Sequence, residues 1–258
     1  MQQPFRTYRD EMPFLDHLEE LRWRILWSLL AVLVMSVIGF FIVTRLNVLG
    51  LLIAPIEPFL EGSRLKYLSP MDPFFITLKL AIVIGFILAS PIVIYQAWAF
   101  LSPALLPSEK RAIVPALYFG LLLFLAGVAM GYYVALPVTL GFTMGFQTAA
   151  LEQSIVVSEY MSVVTRLLIA FGLVFELPVV IMVLATLGLV TPEFLVDKRR
   201  HAIAAITIGA AILTPGDVVT LTILMMIPLV LLYELSIVLA RVIVRKRNGS
   251  AAAVAAEA

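Results

Sequence analysis

The chain has 258 residues, 62% of them hydrophobic, and its mean hydropathy is +1.06, where soluble domains use only about 45 to 50% apolar residues. It is therefore an integral membrane protein, and the apolar runs are continuous rather than alternating with period two, so its class is all-α and not a β-barrel. The formal net charge is only +1, which selects no partner class, and a nucleic-acid partner is not expected. With no cysteine, the chain has no disulfide, thiolate metal site or cysteine nucleophile. His17 and His201 are the only imidazoles, and no HExxH or GxxxxGK run occurs. No metal, cofactor or nucleotide hydrolysis is expected.

Pro13 is placed to open a helix, and Phe14, Leu18, Leu21 and Ile25 follow at steps that make one apolar stripe. Asp16, Glu20 and Arg24 line another face. This amphipathic lead-in runs into a first span over 25–43, too long for the h-region of a cleavable signal, about 7 to 15 residues. Residues 44–72 carry Pro55, Pro58 and Pro70 and read as short interfacial helices. Asp72 and Pro73 cap a second span over 74–101, where Lys79 can snorkel and Pro91 introduces a kink. A polar connection over 102–111 leads to a third span over 112–138, in which Gly127 and Gly131 have the GxxxG spacing of closely packed helices.

Residues 140–165 read as a second polar connection, and a fourth span follows over 167–189. Glu176 stands near its middle, and Pro178, two residues later, removes a backbone donor and favours a bend beside the acid. A charge at such depth costs several kcal/mol by any scale, so this acid either serves a function or stays neutral and hydrogen-bonded inside the bundle. Thr191, Pro192 and Glu193 open a short surface helix that ends in Lys198, Arg199 and Arg200. The runs 202–213 and 218–233 make about 18 and 24 Å of helix, short for a bilayer core of about 30 Å. They read as a hairpin of short fifth and sixth spans, with Asp217 as the N-cap of the sixth and Glu234 within reach of the interface. Residues 1–245 form a single six-span membrane domain, and 246–258 a disordered cytoplasmic tail. Six spans put 13 of the 18 basic residues on one side together with both termini, which are then cytoplasmic.

Two interfacial acids remain, Glu20 before the first span and Glu109 at the mouth of the third. Carboxylates so placed suit guanidinium groups through two parallel charge-assisted bonds. The local alternative is that Glu20 pairs with Arg24 at i+4 and that Glu109 stabilises a helix start.

HLEELR at 17–22, SPMDPFF at 69–75, PIVIYQAWAFLSPAL at 91–105, EKR at 109–111, FGLVFELP at 171–178 and LTPGDV at 213–218 together resemble the TatC family. That family is the multispanning receptor subunit of the twin-arginine protein translocase. The motifs run in order from Phe14 to Arg241. The resemblance implies a glove-shaped, six-helix protein of the cytoplasmic (inner) membrane that binds signal peptides carrying a consecutive arginine pair on folded cargo. It implies single-span TatA and TatB partners, further copies of the chain itself, surrounding lipid, and a proton motive force in place of ATP. By motif, Glu20 and Glu109 match acids implicated in binding the arginine pair; Arg22, Phe100, Lys110 and Arg111 match the same cytoplasmic recognition region. Glu176 matches a buried acid of the concave face, and Asp217 the acid of the outer turn. Gly216 stands where the family often has a second proline, and Lys110 where an arginine is common.

A competing class is a secondary transporter of a small solute coupled to protons at Glu176. Such folds commonly carry internal repeats, and none is visible here. A membrane enzyme is the third class, but no nucleophile and base are set together in the sequence.

Overall fold

The computed structural model describes residues 14–60, 62–101, 113–145, 154–213 and 219–256. All regular elements among them are helical, apart from one isolated bridge between Lys66 and Val156. The first helix, α1 (Phe14–Arg45), fuses the amphipathic lead-in and the first span into one rod, because no proline or mid-helix polar cluster interrupts it. Asn47, at φ 50°, turns the chain into the short α2 (Val48–Ile53), and a 3₁₀ turn follows at Glu57–Phe59. These are the short elements expected over 44–72.

The second span is α3 (Asp72–Leu101), antiparallel to α1. Asp72 begins it but does not cap it as expected: its Oδ2 accepts the N–H groups of Leu68 and Ser69, both at 3.0 Å, and so fastens the incoming loop. Pro91 lies inside α3 and cannot donate to the carbonyl of Ile87, one turn back. The buried Ser90 hydroxyl donates to that same carbonyl at 2.7 Å, which keeps the acceptor satisfied. Lys79 donates to Ser162 Oγ at 2.9 Å and so reaches a neighbouring helix.

The third span is built from α4 (Ile113–Met130), a π-helical turn at Gly131–Ala135 and α5 (Leu136–Gly145). The fourth is α6 (Val157–Phe175) followed by α7 (Leu177–Thr186), broken at Glu176. The connection expected over 140–165 is therefore much shorter, since 140–145 and 157–165 are helical. Its polarity is absorbed within the helices. The hydroxyls of Thr139, Thr143, Ser162 and Thr165 donate at 2.7 to 2.8 Å to the carbonyls of Ala135, Thr139, Ser158 and Met161, one turn back. Gly188, at φ 73°, ends α7 in a left-handed cap, with Leu189 N–H reaching the carbonyl of Leu184 at 2.9 Å.

Thr191 accepts from Phe194 N–H at 3.2 Å to open α8 (Pro192–Asp197), as its sequence signal indicates. Arg199 and Arg200 do not end that helix; they begin α9 (Arg199–Leu213). The last helix, α10 (Val219–Ala256), corrects the short sixth span, because it passes straight through Glu234. That acid pairs with Arg199 at 2.6 Å, so its charge is met by α9 and need not end the helix. Helix also continues beyond Arg245 into the stretch read as a disordered tail, consistent with the high helix propensity of its alanines.

Among the described residues five helical segments are long and apolar enough to cross a membrane: Asp16–Arg45, Asp72–Leu101, Leu117–Gly145, Val157–Thr186 and Met225–Arg245. At 15 residues α9 falls below that length. Burial is uneven among them, from 6% of the most apolar window in the first segment to 44% in the fourth, so α6 and α7 form the centre and α1 the rim. The main core joins Ile56, Leu80, Leu136, Met161, Val164, Leu167 and Phe171. A second cluster gathers Trp98, Leu123, Val179 and Val183, and a third sets Ala185 and Leu195 against Tyr233, Ile237 and Ala240. The GxxxG pair works as packing: a β-carbon on Gly127 would lie 2.8 Å from Cβ and Cγ of Phe175, and one on Gly131 would lie 3.3 Å from Cβ of Phe171.

Candidate ligand-binding site

The amino-terminal turns of α1 lie beside the carboxyl-terminal turns of α3, and their seam collects most of the polar groups singled out in this part of the sequence. Three residues of one α1 face, His17, Glu20 and Arg24, meet Gln96 and Phe100 of one α3 face. Arg24 donates to Glu20 Oε1 from Nε at 2.9 Å and from Nη2 at 2.5 Å, and from Nη1 to Gln96 Oε1 at 3.1 Å. The other carboxylate oxygen, Glu20 Oε2, is buried and accepts no hydrogen bond among the described residues, with His17 Nδ1 at 3.7 Å. The imidazole of His17 stacks on the ring of Phe100, centroids 4.3 Å apart and planes 12° from parallel. Side-chain exposure is 26% for Arg24 and 19% for Glu20, so this pair is more strongly coupled than a solvated surface pair.

Below this polar cluster the seam widens into an open-sided apolar cavity of about 430 Å³. Leu21, Ile25, Leu29 and Val32 of α1 and Phe86, Val93, Ala97 and Phe100 of α3 line it, with Arg24 and Gln96 at its polar end. Further along the same helices the backbones nearly touch. A β-carbon on Gly39 would sit 2.5 Å from the carbonyl oxygen of Ala81 and 3.1 Å from the amide nitrogen of Gly85.

Glu176 occupies a different place, at the break between α6 and α7. Its backbone carbonyl accepts from Val179 and Val180, both at 3.0 Å, and Pro178 is the second residue of the new helix. The side chain turns toward α4, where a β-carbon on Gly120 would be 3.2 Å from Oε2 and 3.5 Å from Oε1. Oε1 is buried with no hydrogen-bond partner among the described residues. An unpaired buried polar atom carries a desolvation cost of about 1 to 3 kcal/mol, which a further donor would relieve.

Of the residues expected at a recognition surface, Glu20 and Phe100 are brought together through His17, whereas Arg22 is exposed on another face of α1. Glu109, Lys110, Arg111 and Asp217 lie outside the described residues. The pairing of Glu20 with Arg24, read from the sequence as the local alternative, is present. Gln96 carries no sequence signal of its own beyond its position four residues before Phe100, which puts both on one helical face. Among the described residues no group of three or more His, Asp or Glu side chains could hold a metal ion.

Helices of this length and hydropathy, with carboxylates placed at an interfacial seam and at a mid-span break, define an all-helical, multi-span membrane protein. The model of the family "Sec-independent protein translocase protein (TatC)" matches residues 16–228. The TatC protein of Aquifex aeolicus is 40% identical over 239 residues, covering 92% of this chain and 98% of the relative. That of Desulforapulum autotrophicum is 39% identical over 240 residues, covering 93% and 88%. A crystal structure of the twin-arginine translocase receptor TatC superposes with a TM-score of 0.78 at 40% identity, covering 88% of this chain and 99% of that one. The chain belongs to the TatC family. It is thus a membrane-spanning component of a protein translocase and not an enzyme.

Proposed function

We propose that the chain is the core receptor subunit of a twin-arginine translocase, binding signal peptides with a consecutive arginine pair on folded cargo and organising its partners for export driven by the proton motive force. The observation that carries this reading is the half-buried carboxylate of Glu20 at the α1–α3 seam, beside Phe100 and above an apolar cavity. A guanidinium fits such a carboxylate through two parallel bonds, and an apolar segment of the same ligand fits the cavity beneath. Glu109 completes the selective surface, with Arg22, Lys110 and Arg111 setting its surrounding charge.

In this reading α9 is a short fifth span, which gives six spans, the glove-shaped bundle and cytoplasmic amino and carboxyl termini in the inner membrane. Glu176 is the contact for a polar group on a partner helix, of TatA or TatB type, since its buried Oε1 needs a donor. Asp217 stands in the outer turn, and further copies of the chain complete the assembly.

Photocrosslinkers at Leu21 and Ala97, in native membranes, test the site. Adducts with an arginine-pair signal peptide, competed by unlabelled peptide and much weaker with a lysine pair, are the expected result. Equal labelling by both peptides would sink the reading. Binding to the double variant Glu20→Ala, Glu109→Ala separates the two acids from the cavity: a well-inserted variant with full arginine-over-lysine preference would exclude them.

A further inference from the structure

Glu20 already holds an arginine. Arg24, one turn further along α1, places two of its N–H groups on Oε1 at 2.9 and 2.5 Å, while Oε2 accepts none among the described residues. A ligand guanidinium engaging the carboxylate through two parallel bonds needs one acceptor position on each oxygen, and Arg24 crowds one of them. The third bond of Arg24 runs across the seam to Gln96 Oε1 at 3.1 Å. Gln96 is thus a neutral acceptor that can keep hold of the guanidinium after it leaves Glu20.

We propose that Arg24 is an intramolecular stand-in for the ligand's arginine, displaced when a signal peptide binds and then held by Gln96. This rests on the reading of Glu20 as an acceptor for the arginine pair. Its consequence is a raised threshold for binding. When one guanidinium replaces another at Glu20, the bonds lost by Arg24 are regained in kind by the ligand. A lysine ammonium cannot restore two parallel bonds from a planar fork, so displacing Arg24 leaves it with a net loss. Arg24 therefore lowers the affinity of every ligand by the same displacement cost, and a lysine ligand, which recovers less of that cost at Glu20, is the first to fall below useful affinity. A merely structural Arg24, one that only positions Glu20, has the opposite effect: its removal weakens arginine binding.

The test measures equilibrium binding of fluorescent arginine-pair and lysine-pair signal peptides to the full chain, in native membranes with its Tat partners. Arg24→Gln is expected to tighten the arginine-pair and the lysine-pair peptides by about the same factor, roughly threefold, the worth of a modest ion pair. Affinity then rises while the ratio between the two peptides is kept. Arg24→Lys, which keeps the charge but not the fork, is expected to raise both affinities less and guards against a folding defect in the glutamine variant. Unchanged or weaker arginine-pair binding in both variants overturns the proposal. Gln96→Leu is expected to weaken arginine-pair binding in the wild-type background and not in the Arg24→Gln background; equal losses in both overturn its role as receiver. Glu20→Gln in the same assay separates the two levels. If it retains full binding and discrimination, the parent reading fails. If it loses binding while the Arg24 variants also weaken it, only the exchange fails.

Discussion

The phenol of Tyr160 in α6 donates a 2.6 Å hydrogen bond to the backbone carbonyl of Leu52 in α2, across 108 residues of chain. Tyr132, in the π-helical turn, does the same for Leu51 at 2.7 Å. Both carbonyls belong to the last turn of a six-residue helix, where intrahelical donors run out. Two central spans thus hold the end of a short peripheral element. Tyr160→Phe is expected to cost about 1 to 3 kcal/mol, because the carbonyl of Leu52 stays buried without its donor. Faster hydrogen exchange across 48–60 and a lower melting temperature in detergent are the readouts. Unaltered exchange in the Tyr132→Phe, Tyr160→Phe double variant would contradict this role.

Ser90 and Pro91 make a coupled pair. Ser90→Ala removes the donor to the Ile87 carbonyl, and with Pro91 in place no backbone N–H can substitute, so a loss of about 1 to 2 kcal/mol is expected. In a Pro91→Ala background that N–H is restored, and the same serine change is expected to cost far less. Equal costs in the two backgrounds, measured by thermal unfolding, would show that the hydroxyl does not cover for the proline.

Glycines at two positions are expected to respond with opposite sign. At Gly127 a β-carbon would press into Phe175 at 2.8 Å, so Gly127→Ala is expected to destabilise by about 1 to 3 kcal/mol through overpacking. At Gly209 in α9 nothing lies within 4 Å of the added atom, and Gly209→Ala is expected to gain up to about 1 kcal/mol of helix stability. A melting series on the purified protein distinguishes the two, and similar effects at both would refute the close approach of α4 to α6.

Glu176 offers a test of what a mid-span carboxyl contributes. Glu176→Gln keeps shape and hydrogen bonding, whereas Glu176→Ala removes both, so transport is expected to survive the first and fail in the second. Gly120→Val is expected to impair transport as well, since its β-carbon alone would come within 3.2 Å of Oε2 and displace the group. Export of a reporter by inserted, stable variants is the measurement. Wild-type export by Glu176→Ala would reduce the residue to packing.

Much of this architecture was legible in the sequence, for identifiable reasons. The span starts near Asp72, the cap at Thr191 and the break beside Pro178 each have a local chemical signal, and each sits within a residue or two of its expected place. The end of the third span and the start of the fourth are hidden in the sequence because hydroxyl side chains count as polar in hydropathy, yet hydrogen-bond their own helix. Glu234 reads as the end of an apolar run because its partner, Arg199, lies 35 residues away, beyond the reach of any local pattern. At the site, the Glu20–Arg24 pair follows from helical spacing. The participation of Gln96, 72 residues from Arg24, depends on how α1 is laid against α3, which only the assembled fold fixes.

The sparse burial of α1 has a consequence for how its sequence can drift. Most of its committed surface faces α3, with Val43 packed beside Val48 and Leu52 of α2 at the far end, while Leu33, Val37 and Phe41 lie exposed along the rod. Hydrocarbon asks of these side chains only that they be apolar, so exchanges among leucine, isoleucine, valine and phenylalanine there carry little penalty. Gly39, pressed against Ala81, has no such freedom, and one small residue among interchangeable large ones is the pattern by which the seam of this hairpin would record itself across diverged sequences.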